Sequence, residues 1–113
     1  MQLLNAFSLQ MLDLQDSTNV SFSPADVWVD GFTGLYVYKD QNTQRVSPLS
    51  TLESYLGHQD IANILGCKMN RGSCHLKRGE TALIAQVTGG RLPEGTTTIP
   101  EGMSIKFYWV HIQ

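Results

Sequence analysis

The chain has 113 residues, 42% of them hydrophobic and 16% charged, which excludes an intrinsically disordered protein and predicts one domain spanning 1–113 with a modest core. Its net charge of −2 argues against a general polyanion binder, so no stable DNA partner is expected and any phosphate must be held locally. The start, Met1-Gln2-Leu3-Leu4-Asn5, has no basic segment and no extended apolar run, and no later run is long enough to span a bilayer. The expectation is a soluble, cytoplasmic protein without a membrane partner.

Gln2-Leu3-Leu4 reads as a first strand, and Asn5-Ala6-Phe7 as a turn. Ser8 is a candidate N-cap for a short helix over Leu9–Leu14. Val20 and Phe22, then Val27 and Val29, alternate with polar positions apart from Trp28, which predicts two strands. Pro24 between them marks a bend or a sheet edge. Gly34 to Tyr38 is a further strand candidate, and Lys39 to Pro48 reads as an exposed loop. Leu49 to Leu56 fits strand and helix equally. From Gln59 onward, Ile61, Ala62, Ile64 and Leu65 share one helical face, with Gly66 as the stop and His58 at the helix start. Cys74-His75-Leu76 is a possible strand, turned by Lys77 to Glu80. Thr81 to Val87 is a strong strand, Gly89 to Gly95 a glycine-rich loop, and Ile105 to Ile112 a β-branched and aromatic last strand. The order predicts an α/β fold with a mixed central sheet flanked by short helices.

His58 stands where backbone N–H groups favour an anion, and a histidine there can donate a proton near neutral pH; it can equally be a local cap. Arg91, inside the glycine loop, can clamp a phosphate through two N–H groups, or be a surface charge on a turn. Glu94 can orient a ribose hydroxyl or hold Arg91 by an ion pair. Ser8 can offer a hydroxyl to a phosphate, though serine is common at N-caps. Lys68, Arg71, Lys77 and Arg78 carry four of the eight Lys and Arg residues in one stretch, either a phosphate patch or a solvated face. His111 alternates with Phe107 and Trp109 and reads as structural. The aromatic side chains are expected in the core, although any of them could stack on a purine. Cys67 and Cys74 read as reduced structural thiols, since a zinc site wants three or four ligands and the adjacent side chains of Cys74-His75 rarely share one ion; no metal is expected. Walker, GxSxG and CxxC motifs are absent from the sequence, and no dense acidic cluster points to a two-metal nuclease. Phosphodiester cleavage by this chain would therefore use the substrate's own ribose 2′-OH, with an acid, a cation and good geometry.

Several segments together resemble a known family. They are Leu3 to Leu12 (Leu-Leu-Asn-Ala-Phe-Ser-Leu-Gln-Met-Leu), Leu56-Gly57-His58-Gln59-Asp60, and Asn70-Arg71 followed by Gly79 to Ile84. Gly90-Arg91-Leu92-Pro93-Glu94-Gly95 and the ending Ile105 to Ile112 complete the set. Their order and spacing resemble the small viral ring nucleases that act as anti-CRISPR proteins against type III systems, with a weak stretch from about Leu14 to Ser50. The resemblance implies a homodimer that binds cyclic tetra-adenylate across its two-fold axis. It implies cleavage, without metal or cofactor, to linear di-adenylate ending in a 2′,3′-cyclic phosphate. His58 then corresponds to the acid, Arg91 and Glu94 to catalytic partners, and Asn5, Ser8, Gly57, Arg71 and Gly90 to ligand contacts. Two departures stand out. Gly90 replaces the glutamine that precedes the arginine in archaeal viral members. Thr96 to Gly102 is too short and too Pro/Gly-marked for the helix those members carry before the last strand. The apolar side chains on both faces of that strand are expected to be covered by the core and by a partner, or wholly within one subunit. Two alternatives stay open: a non-catalytic cyclic-nucleotide sponge, and a host-interaction or DNA-binding protein of a phage or mobile element.

Overall fold

Leucines at consecutive positions in a three-residue strand must bury on opposite sides, because side chains alternate across a sheet. Leu3 and Leu4 do so in the computed structural model, which describes residues 1–7, 11–12 and 19–113. They lie in β1 (Gln2–Leu4), whose two faces look into two separate cores. The strands that follow are β2 (Val20–Pro24), β3 (Val27–Val29), β4 (Tyr36–Lys39), β5 (Val46–Pro48) and β6 (Glu53–Tyr55). Helix α1 (Gln59–Leu65), β7 (Thr81–Thr88) and β8 (Ser104–Ile112) complete the order. The main sheet runs β2-β8-β7-β1-β6, and β3-β4-β5 form a second, antiparallel sheet. Strand β1 is parallel to both β6 and β7, whereas β8 is antiparallel to β7 and β2. This is the expected α/β fold with a mixed sheet.

The larger core lies between the main sheet, α1 and the small sheet. Leu3, Leu83, Ala85 and Trp109 meet Tyr38, Leu49, Leu52, Leu56, Ile61, Ala62 and Leu65 there. Trp109 packs edge-on against Tyr38, with ring centroids 6.0 Å apart. On the opposite face, Leu4, Ala82, Ile84, Val110 and Ile112 pack with Cys74 and Leu76. The alternating side chains of β8 are thus shared between two cores of one chain, with Trp109, Val110 and Ile112 all buried. That burial accounts for the apolar run in β8 at these positions without a partner subunit.

Pro24 closes β2 at the edge of the main sheet, where its missing N–H breaks no ladder. Gly66 ends α1 in the left-handed region (φ 68°), and its N–H bonds back to the carbonyls of Ala62 and Asn63. The ambiguous stretch after Pro48 contains both structures: a 3-10 turn at Leu49–Thr51, then β6, with Leu49, Leu52 and Leu56 all directed inward.

Two expectations need correction. The loop expected over Lys39 to Pro48 is shorter, because Val46–Pro48 pairs with β4 as Lys39↔Val46, Tyr38↔Ser47 and Val37↔Pro48. The Asp40 carboxylate accepts the N–H groups of Asn42 (2.8 Å) and Thr43 (2.9 Å), which turns the chain into that pairing. Cys74 to Leu76 keeps the alternation of a strand, but only Leu76 makes a bridge, to Leu12. Its N–H donates to the Met11 carbonyl at 2.7 Å. The helix expected over Leu9–Leu14 falls largely outside the described residues. Thr96 to Gly102 forms turns rather than a helix. No helix among the described residues is long and apolar enough to cross a membrane.

Candidate functional site

The three parallel strands β6, β1 and β7 end on the same side of the sheet, and each feeds a loop carrying residues singled out in the sequence. From β1 the chain continues into Asn5, from β6 into Gly57-His58, and from β7 into Gly89-Gly90-Arg91. Open α/β sheets place ligands in the crevice outside the carboxyl ends of their parallel strands. A cleft of about 620 Å³ lies at that position here, lined by Asn5, His58, Gly90, Arg91 and Glu94 together with Asp60 and Gln86. Residues separated by more than eighty positions in the chain are brought to one cavity by strand order alone.

Hydrogen bonds tie the loops together beneath this cleft. The Asn5 side-chain oxygen accepts the Gly57 N–H at 3.1 Å, joining the β1 and β6 loops. Arg71 donates from Nε to the Gly57 carbonyl at 3.3 Å. Arg71 and Gly57 are therefore bonded to the rim but do not line the cleft. Asp60, in the first turn of α1, accepts the Gly95 N–H at 3.1 Å and docks the Arg91 loop against the helix that follows His58. His58 is the residue preceding α1, in extended conformation, and its side chain makes no capping hydrogen bond. The capping role is thus not what occupies its imidazole. Ser8, the remaining candidate, lies outside the described residues.

The glycine loop is shaped by backbone that other residues rarely adopt. Gly90 has φ 134°, a region that disfavours a side chain, so the glycine immediately before Arg91 matches this loop's conformation. Gly89 has φ 92°, and a Cβ there would lie 2.5 Å from the Gly102 carbonyl oxygen. The turn after the loop packs its backbone directly against the start of the loop.

Asp60 and Gln86 were not singled out in the sequence. Gln86 had a visible signal, being the one strongly polar side chain within the apolar run Ala82 to Val87. Asp60 had only its place in a helix's first turn, where acidic residues are common. Several aromatic residues also depart from the core role expected of them. Trp109 and Tyr38 are buried, but Trp28, Phe22 and Phe32 are exposed. His111 is structural as expected, held between Ser23 Oγ at 3.0 Å and Thr81 Oγ1 at 3.2 Å on neighbouring strands.

Both cysteines are free thiols. Burial pushes Cys67 up to about 11. Burial, and then the charges of Glu53 and Glu80, also raise Cys74. Among the described residues no group of three His, Cys, Asp or Glu side chains gathers to hold a metal ion.

The fold and cleft define an α/β protein with a histidine, an arginine and two carboxylates at the carboxyl end of a parallel strand trio. No protein-family model matches the chain, and a search of curated proteins returns no match.

Proposed function

We propose that this protein is a metal-independent ring nuclease that opens cyclic tetra-adenylate and thereby blocks type III CRISPR signalling, as the anti-CRISPR family it resembles does. The observation that carries the reading is the convergence of Asn5, His58, Arg91 and Glu94 on one cleft. Each of these residues has chemistry suited to a phosphodiester, and they come from three loops far apart in the chain. The adenosine 2′-oxygen attacks its own 3′-phosphorus in line, forming the 2′-O–P bond as the P–O5′ bond breaks. The 2′-OH proton leaves to solvent, with Glu94 orienting the hydroxyl. His58 protonates the departing 5′-oxygen, and Arg91 stabilises the charge that builds on the phosphoryl oxygens.

The cleft has the size of a site for one drug-sized molecule, smaller than a ring of four nucleotides needs. A near-symmetric ring is best read by two identical half-sites, so the working unit in this reading is a homodimer with the ligand on its two-fold axis. The protein would act in the cytoplasm of the host cell, where the messenger is made.

The test is incubation with cyclic tetra-adenylate in the presence of EDTA, with products resolved by mass. Wild type is expected to yield di-adenylate with a 2′,3′-cyclic phosphate. His58→Ala is expected to bind the ring and cleave it about 10²–10⁴-fold more slowly. Equal turnover by the two proteins would sink the assignment of the acid. A ring that wild type binds tightly and leaves intact would replace the enzyme with a sponge.

A further inference from the structure

A second cleft, of about 420 Å³, adjoins the first on the opposite face of the main sheet. Asn5 and Gln86 line both clefts, so the two adjoin at the carboxyl end of β1 and β7. Among the described residues the remaining lining is Ala6, Phe7, Phe22, Ile84 and Tyr108, with no charged side chain among them. Phe7 and Phe22 stand nearly perpendicular (76°), with centroids 5.8 Å apart, so each ring braces the other. Phe22 is nevertheless 56% exposed, on an edge strand where a charged or polar residue would be the ordinary choice. Phe22 lies opposite Val110 of β8, and one step along the same face Tyr108 lies opposite Ile84 of β7.

We propose that this aromatic cleft is the base-binding half of the site, taking one adenine per chain while the attached phosphate lies at Arg91 in the adjoining cleft. The inference rests on the reading above for the phosphate's place. The physical case is local. Aromatic rings offer a π-face that any nucleobase can stack on, and the uncharged lining suits a flat heterocycle. Carboxamides stand at the junction of the clefts, where a base edge would pass. Asn and Gln pair with the adjacent donor and acceptor of adenine. The Asn5 oxygen is already taken by the Gly57 N–H, which leaves its NH₂ group as the donor for a ring nitrogen. The Gln86 side chain is exposed and makes no hydrogen bond among the described residues, so it can supply both groups. A ligand that needs both clefts must carry a phosphate and a base on one short linker, as a nucleotide does.

The experiment titrates the full chain with AMP and with ribose 5-phosphate, followed by NMR, for wild type, Phe22→Ala, Phe22→Leu and Phe22→Trp. Wild type is expected to bind AMP at least about tenfold more tightly than ribose 5-phosphate. Phe22→Ala and Phe22→Leu are expected to weaken AMP about 10- to 100-fold and leave ribose 5-phosphate unchanged, while Phe22→Trp retains the preference. Equal affinity of wild type for the two probes, or no AMP binding at millimolar concentration, overturns the base site. So does a Phe22→Leu protein that behaves as wild type, because apolar contact rather than stacking would then be at work. The ring supplies a separate arm. Discrimination for AMP by a wild type that ignores cyclic tetra-adenylate supports the base site and removes the ring nuclease. Unchanged ring affinity and cleavage by Phe22→Ala removes the base site and leaves the ring nuclease standing.

Discussion

Among the described residues Asp60 is the one side chain that docks the Arg91 loop to the start of α1 by a hydrogen bond, and its removal has calculable consequences. Its carboxylate accepts a single N–H, from Gly95, at 3.1 Å. A hydrogen bond to a charged group contributes about 1.5–3 kcal/mol when sheltered, and the exposure of Gly95 reduces that to about 1 kcal/mol. Asp60→Ala should therefore loosen the loop with only a small loss of global stability. Amide exchange at Gly95 should quicken about fivefold, because 1.4 kcal/mol corresponds to a factor of ten. The turn inside the loop should persist, since the Thr96 N–H bonds to the Pro93 carbonyl independently of Asp60. A displacement of Arg91 by about 1 Å could cost ring cleavage about 10²-fold, mainly in kcat. Asp60→Asn keeps an oxygen acceptor and should recover most of both effects. Hydrogen exchange by NMR reads the first, and single-turnover cleavage the second. If Gly95 exchanges at the wild-type rate in Asp60→Ala, the docking argument is refuted. If exchange quickens and cleavage does not change, Asp60 holds the loop without positioning Arg91.

Two further predictions test the loop and the thiols. Gly89→Ala places a Cβ against the Gly102 carbonyl in a backbone conformation that L-residues avoid, so it should destabilise the fold by about 1–3 kcal/mol, seen as a lower denaturant midpoint at constant slope; an unchanged midpoint would refute the strain. Burial raises Cys67 from 9.0 to about 11, so its thiol should be alkylated at neutral pH on the order of 10- to 100-fold more slowly than a free cysteine. The folded state holds this proton more tightly than the unfolded chain, so its stabilisation is complete below about 9 and is lost as the pH rises through about 11. A Cys67→Ala protein should lose this part of the alkaline decline, and an identical decline in both proteins would count against it.

Much of the architecture was legible because it depends on neighbours in sequence. The apolar runs of β7 and β8, the single helical face of Ile61, Ala62 and Leu65, and the stop at Gly66 are local patterns with local causes. The histidine, arginine and glutamate could be nominated for the same reason, since each sits beside glycines or at a helix boundary that limits its possible roles. β5 was not legible, because three residues ending in proline carry no periodicity and become a strand only by pairing with β4. The same holds for Cys74 to Leu76, where alternation is present but the ladder is not.

By itself the sequence determined which segments could be strands or helix, and which side chains had the chemistry to handle a phosphate. It did not determine that those side chains share a cavity. That depended on β1 lying between β6 and β7 in parallel register, which sends three distant loops to one end of the sheet. Strand order is a non-local property, settled by the joint burial of both sheet faces. Leu3 and Leu4 illustrate the limit: their sequence says that both are apolar, but only the packed sheet gives each of them its own core. Phe22 shows the converse, because its apolar ring matches the pattern of a core residue and an edge position in the sheet leaves it facing solvent.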